Sequence, residues 1–205
     1  MKHGPMFICA VLAVAGTFLA GSAVSADKKD KQAAMDPKME EMMKKCEEAG
    51  TPGAAHKALE ALVGNWQTEA KCWMPGSDTP NVSKGNEKSD WILGGRYVQG
   101  EFKGEFMGKP FHGIGTTGYD NVKQKYTSVW VDDMSTAMFV SEGTADSSGK
   151  VFTFEGSASC PMTGEKEKAM KHIIRIISKD KHIFEMHDPS LGEKSKTMEI
   201  VYTRK

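Results

Sequence analysis

From Trp66 onward, apolar and polar residues alternate along the chain, and turn-forming residues interrupt this alternation about every ten residues. Such a pattern is typical of an antiparallel β-barrel or β-sandwich. It predicts ten strands, at residues 65–73, 83–92, 96–104, 109–116, 125–132, 137–143, 150–157, 167–177, 182–187 and 196–203. The connections are too short for helical crossovers, so we expect neighbouring strands to be antiparallel.

A sheet of this many consecutive strands has two unpaired edges unless its first and last strands meet. The sequence therefore predicts an all-β fold, an up-and-down antiparallel β-barrel of about ten strands with short N-terminal helices. Odd-numbered strands would all end at one rim, and most of the long connections fall there. A helix over 54–63 precedes Trp66 and would close the opposite end. We expect binding at the open rim.

Residues 1–26 have the pattern of a secretory signal peptide. Lys2 and His3 form a basic start, an uncharged apolar run follows, and residues 24–26 are Val-Ser-Ala. The pattern predicts export to the periplasm or beyond the cell, and an uncleaved membrane anchor is the alternative. No later segment has the length and apolar character of a membrane span.

Two further regions follow the signal peptide. Residues 27–52 form a polar, Met-rich leader in which Met39, Met42, Met43 and Cys46 have helical spacing. This leader predicts a short helix, which could dock on a partner protein. Residues 53–205 form the barrel domain.

Several short motifs carry a resemblance to a known family. His56, Leu59 and Leu62, followed by Val63-Gly64-Asn65-Trp66, resemble the helix and Gly-x-Trp strand that open lipocalin-like domains. Further motifs occur in order at 92–97, 108–113, 118–120, 126–133 and 198–204. Together they resemble a bacterial lipocalin-like (calycin-like) family, domain of unknown function number 1579. The resemblance implies a barrel in a mostly bacterial, often exported setting, and it implies no reaction and no catalytic residue.

Composition and motifs exclude several kinds of protein. The 27 Lys and Arg residues balance the 27 Asp and Glu residues, which argues against a nucleic-acid binder that works by bulk charge. The glycines at 113, 115 and 118 have the spacing of a Gly-x-Gly-x-x-Gly dinucleotide-binding motif. No helix follows them, so they do not predict a dinucleotide site. Neither a Gly-x-Ser-x-Gly motif nor histidines with metal-ligand spacing occur. We therefore expect no cofactor, no histidine-type metal site and no nucleic-acid partner.

The strand pattern places aromatic and titratable residues where they could line a cavity. The candidates for cavity-lining residues are Trp66, Trp91, His112, Trp130, Asp132 and Glu142. A barrel of ten strands encloses more space than one of eight, which favours a cavity over a filled core. Such an interior would hold a small apolar or amphipathic molecule.

The expected open rim is rich in sulfur. Met74, Met107, Met134 and Met162 each fall in one of its first four connections. Cys72 and Cys160 end odd-numbered strands, so a disulfide across the mouth is topologically allowed. Soft sulfur ligands would also suit Cu(I). We favour a Met-lined apolar entrance, because Met fills adaptable apolar surfaces, and we expect no metal.

Three functions remain open. The favoured one is an exported barrel, not an enzyme, that binds a small, mostly apolar ligand. The second is an enzyme in which Asp132, Glu142 or His112 acts as general acid or base in the cavity. The third is a structural or partner-binding envelope protein that uses its leader helix.

Overall fold

The structure, a computed structural model, describes residues 36–205, and one compact unit spans Pro37–Lys205. The predicted signal peptide and the start of the leader lie outside the described residues. Within 36–205, no helix is both long enough and apolar enough to cross a membrane.

Ten antiparallel strands form a closed barrel, which confirms the predicted fold. The strands are β1 (Gly64–Cys72), β2 (Asn81–Ile92), β3 (Tyr97–Phe106), β4 (Lys109–Asp120), β5 (Lys125–Asp132), β6 (Phe139–Ala145), β7 (Val151–Ala158), β8 (Lys168–Ser178), β9 (Lys181–His187) and β10 (Lys196–Arg204). Each strand pairs with the next, and β10 pairs with β1. The closure satisfies the backbone groups that an open sheet would leave at its edges.

The register of the β1–β10 seam fixes which side chains share the interior. Trp66 lies opposite Arg204, Thr68 opposite Tyr202 and Cys72 opposite Met198. Thr68 and Trp66 are buried, whereas the intervening Gln67 is exposed. Because successive side chains point to opposite faces of a strand, the even-numbered residues of β1 face inward.

A short helical segment closes the end of the barrel where β1 begins. It consists of an α-helix, α2 (Ala54–Ala58), and a 3₁₀ helix (Leu59–Leu62), where the sequence predicted one continuous helix. Side chains three residues apart are aligned in a 3₁₀ helix, so Leu59 and Leu62 both enter the core. The Trp66 indole N–H donates to the carbonyl of Leu62 at 3.0 Å. This contact ties the segment to β1.

The preceding leader contains the predicted helix, α1 (Pro37–Gly50), and all of its residues are exposed. At the end opposite α2, the strand connections comprise residues 73–80, 107–108, 133–138, 159–167 and 188–195. The connections beside α2 comprise 93–96, 121–124, 146–150 and 179–180. The longest connections therefore surround the end that α2 does not close, and only the β3–β4 turn there is tight.

The hydrophobic core lies in the closed half of the barrel. Its buried members are Leu59, Leu62, Val98, Tyr126, Phe152, Phe154 and Ile174. The Tyr126 hydroxyl donates to the carbonyl of Ala55 in α2 at 3.0 Å, so a core side chain also holds the closing segment. Because the core fills the closed half of the barrel, a binding site in the interior has to lie in the half near the open end.

Candidate functional site

Toward the open end, the inward-facing side chains are only half-buried. We call this lined space the cup, and its wall consists of Phe111, Trp130, Phe139, Met170, Phe184, Met186, Met198 and Ile200. These residues face the interior and still retain accessible surface. Solvent therefore enters the barrel from this end, over a lining that is apolar and aromatic.

One side of the cup is built around Trp130. Its indole N–H donates to Oδ2 of Asp132 at 2.9 Å, and its ring stacks with Phe111 at 6.3 Å between centroids. Gly113 and Gly115 on the neighbouring strand make room for the ring, since a Cβ atom at residue 113 would overlap it. The indole thus lies against the sheet and presents a flat aromatic wall.

His172 lies at the boundary between the cup and the core. Its ring stacks on Phe154 at 4.4 Å and on Phe184 at 5.4 Å, and the residue is only 3% exposed. Burial lowers the pKa of His172 to about 4, so the ring is neutral at pH 7. Within residues 36–205, its Nδ1 atom has no hydrogen-bond partner.

A polar cluster that the sequence reasoning missed lies deeper, beside Trp66. The Ser89 hydroxyl donates to Oε1 of Glu87 at 2.7 Å, and Tyr202 also hydrogen-bonds this carboxyl. Burial raises the pKa of Glu87, and these two hydrogen bonds oppose the rise. Tyr202 in turn stacks on His182 at 4.2 Å. Glu87 lies on the same inward face of β2 as Ser89, two residues away, and this spacing of two was the available signal.

Four of the six sequence-predicted cavity residues lie at three different places in the barrel. Trp130 and Asp132 are in the cup, whereas Trp66 is fully buried beneath it. Trp91 is at the closed end, where its indole N–H donates to Oε2 of Glu60 at 2.6 Å. A pocket of about 360 Å³ adjoins this contact and lies between α2 and the β2–β3 turn.

His112 and Glu142 lie on the outer face of the barrel and do not line its interior. The Nε2 atom of His112 is 3.0 Å from Oε1 of Glu101. Glu142 forms ion pairs with Lys123 and Lys125, and the hydrogen bond and charge of Lys123 lower the pKa of its carboxyl. On β4 and β6, the residues directly before and after His112 and Glu142 face the interior, so these two side chains point outward.

The predicted rim methionines lie at the open end, at different depths. Met107, Met134 and Met162 are exposed, and Met74 is half-buried. The three methionines inside the cup were missed, because on the strands only the register shows which residues face inward. Cys72 and Cys160 are free thiols, so the structure contains no disulfide between them.

A second pocket, of about 350 Å³, opens at the same rim. Cys72, Met74 and Met107 are among its lining residues. Burial raises the pKa of the Cys72 thiol.

Comparisons with known proteins agree with this architecture. A family model described as "Protein of unknown function (DUF1579)" matches residues 51–204. The chain is similar to a solved structure titled "Crystal Structure of Rv2717c from M. tuberculosis", with a TM-score of 0.56 and 18% identity, over 76% of this chain and 99% of that one. At that identity, the likeness shows the fold alone.

A second structure, titled "Structure of EF1p2_mFAP2b bound to DFHBI", has a TM-score of 0.39 and 13% identity, over 74% of this chain and 100% of that one. This likeness is too low to bear on the function of the chain. No curated protein sequence matches the chain.

Proposed function

The chain belongs to the DUF1579 family, and from the cup of its barrel we propose that it binds a small, mostly apolar ligand inside the open end. One observation carries the proposal: apolar and aromatic side chains face a concave interior and still keep solvent-accessible surface. Covering such surface stabilises a complex by about 25 cal/mol per Å². Concave, largely apolar sites with few polar groups are the usual small-molecule sites.

The side chains of the cup narrow the chemistry of the ligand. Trp130 and Phe111 offer flat aromatic surface, and the flexible methionines can adapt to an irregular outline. The Nδ1 atom of His172, which has no hydrogen-bond partner among residues 36–205, and the carboxyl of Glu87 are polar groups on the inner face below the cup. The ligand is therefore amphipathic, with an apolar body and a polar group that enters first.

We further propose that the protein is exported. The support is the pattern of residues 1–26, which ends in Val-Ser-Ala before a charged segment. Mass measurement of the protein isolated from its own source checks this. A mature chain that begins at Asp27 supports export, and a chain that retains its first 26 residues contradicts it.

Native mass spectrometry of the protein from its own source tests ligand binding. We expect a bound molecule of low mass that organic solvent extracts. Ile200→Trp places a large ring inside the cup and should prevent retention of this molecule. Val201→Trp places the same ring on the outer face of β10 and is the matched control. Retention by both variants, or a ligand-free wild type, would contradict the proposal.

The properties of Glu87 support a second candidate function, in which the protein is an enzyme that acts on a molecule bound in the cup. It is an inward-facing carboxyl whose pKa is raised by burial, a property that suits a general acid. Incubation of the extracted molecule with fresh protein distinguishes the two functions. Chemical conversion by the wild type but not by Glu87→Gln would establish the enzyme, and an unchanged molecule supports simple binding.

A further inference from the structure

Three residues with soft sulfur atoms line one pocket on the open rim. Cys72 ends β1, Met74 follows it in the next connection, and Met107 belongs to the turn between β3 and β4. All three line the pocket of about 350 Å³. Separate parts of the chain thus bring a thiol and two thioethers together.

The barrel seam adds further sulfur beside Cys72. Met198 on β10 lies directly opposite Cys72, and Met186 on β9 lies opposite Met198. Directly opposed residues on antiparallel strands have Cβ atoms about 4.5–5.5 Å apart. Cys72 therefore has a thioether as its cross-strand neighbour, in addition to the two in the pocket.

The backbone at Met107 has a positive φ angle, which is unfavourable for a residue with a large side chain. Met107 and Gly108 form a two-residue hairpin turn with φ values of 52° and 75°. Turns of this kind favour Asn or Gly at both positions, because a larger side chain is strained at positive φ. Met at residue 107 is thus not explained by the turn, and its side chain lines the pocket.

We propose that this rim pocket binds Cu(I) through the thiolate of Cys72 and the thioethers of Met74 and Met107. Thiolate and thioether ligands select Cu(I), whereas carboxylate and carbonyl ligands suit magnesium and calcium. On binding, the Cys72 S–H bond breaks, its proton passes to solvent and an S–Cu bond forms. Copper keeps its oxidation state, so the step needs no oxidant or reductant. None of the three proposed ligands belongs to the wall of the cup, so the proposal does not depend on the binding of an apolar ligand there.

Titration of the full chain with Cu(I) alone, against a coloured Cu(I) chelator in anaerobic buffer, tests the site. The free thiols of Cys46 and Cys160 are first changed to Ser, because each lies near methionines and could compete for Cu(I). We expect one Cu(I) per chain and an ultraviolet absorption band from the thiolate–Cu(I) bond. Cys72→Ser should abolish this band.

Two methionine variants provide the matched comparison. Met107→Leu removes a thioether that lines the pocket and should weaken Cu(I) binding by roughly tenfold or more. Met134→Leu makes the same change at an equally exposed rim methionine, 60% exposed against 59%, and should leave the affinity unchanged.

Three results would overturn the site: no Cu(I) retained against the chelator, full binding by Cys72→Ser, or equal effects of the two leucine variants. If Cys72→Ser does not fold, the comparison between Met107→Leu and Met134→Leu decides alone. Both of these residues are exposed at the rim, so neither change disturbs the core.

Discussion

Single residues decide which parts of the interior can be occupied. Trp130 lies flat only because Gly113 and Gly115 carry no side chain beneath it. The sequence allowed Trp130 and Asp132 to be placed together, since they are two apart on one strand. It did not show whether Glu142 faces inward or outward, because the two faces of β6 have similar polarity. One face carries Val140, Glu142 and Thr144, and the other carries Phe139, Ser141 and Gly143. Where the two faces of a strand are alike, the alternation does not show which one is inside.

We expect Gly113→Ala to destabilise the protein by about 1–3 kcal/mol, because the added Cβ displaces the Trp130 ring. Gly115→Ala should cost less, since its Cβ would lie 3.2 Å from the nearest ring atom. Urea denaturation, monitored by tryptophan fluorescence, measures the free energy of unfolding of both variants. Gly50→Ala is the control, because nothing lies within 4 Å of its Cβ position. Equal stability of the Gly113 and Gly50 variants would show that the ring has room to move.

None of the residues of α1 is buried, unlike the ten strands and the segment that closes the barrel, each of which has buried residues. Asn121, in a connection at the closed end, holds α1 by donating to the carbonyls of Ala49 at 3.0 Å and Thr51 at 2.8 Å. All ten strands were predictable, since each carries the period-2 pattern between turn residues. The attachment of α1 was not, because an Asn in a turn has many local uses.

We predict that Asn121→Asp frees α1 without unfolding the barrel. The carboxylate cannot donate to the helix carbonyls, and it also repels the negative end of the helix dipole. Limited trypsin digestion should cleave more quickly after Lys44 and Lys45, while the melting temperature stays nearly unchanged. Asn86→Asp, the same change at an exposed position on β2, should have neither effect. A large fall in melting temperature for Asn121→Asp would mean that α1 is integral to the barrel.

At the scale of the whole molecule, the barrel has buried histidines inside a closed ring of strands. Burial lowers the pKa of His172 to about 4 and that of His182 to about 3. Between these values and the usual 6.5, the unfolded chain binds protons that the folded barrel does not. The free energy of unfolding is therefore highest above pH 6.5 and falls as the pH is lowered toward 4.

His172→Phe should remove one part of this pH dependence, on the order of 3 kcal/mol between pH 6.5 and 4. Phenylalanine keeps the stacking with Phe154 and Phe184 and cannot take up a proton. Urea denaturation of the wild type and the variant at several pH values gives the two slopes. Parallel curves would show that His172 does not contribute to the acid sensitivity of the fold.

The last backbone hydrogen bond of the barrel joins its two ends in sequence: the amide of Lys205 donates to the carbonyl of Asn65 at 3.0 Å. The carboxy terminus and the entry into β1 are consequently side by side, at the pole remote from the cup. A tether or fluorescent tag fused after Lys205 would emerge there and leave the mouth unobstructed. A protein immobilised by this terminus would present its opening toward the surrounding solution.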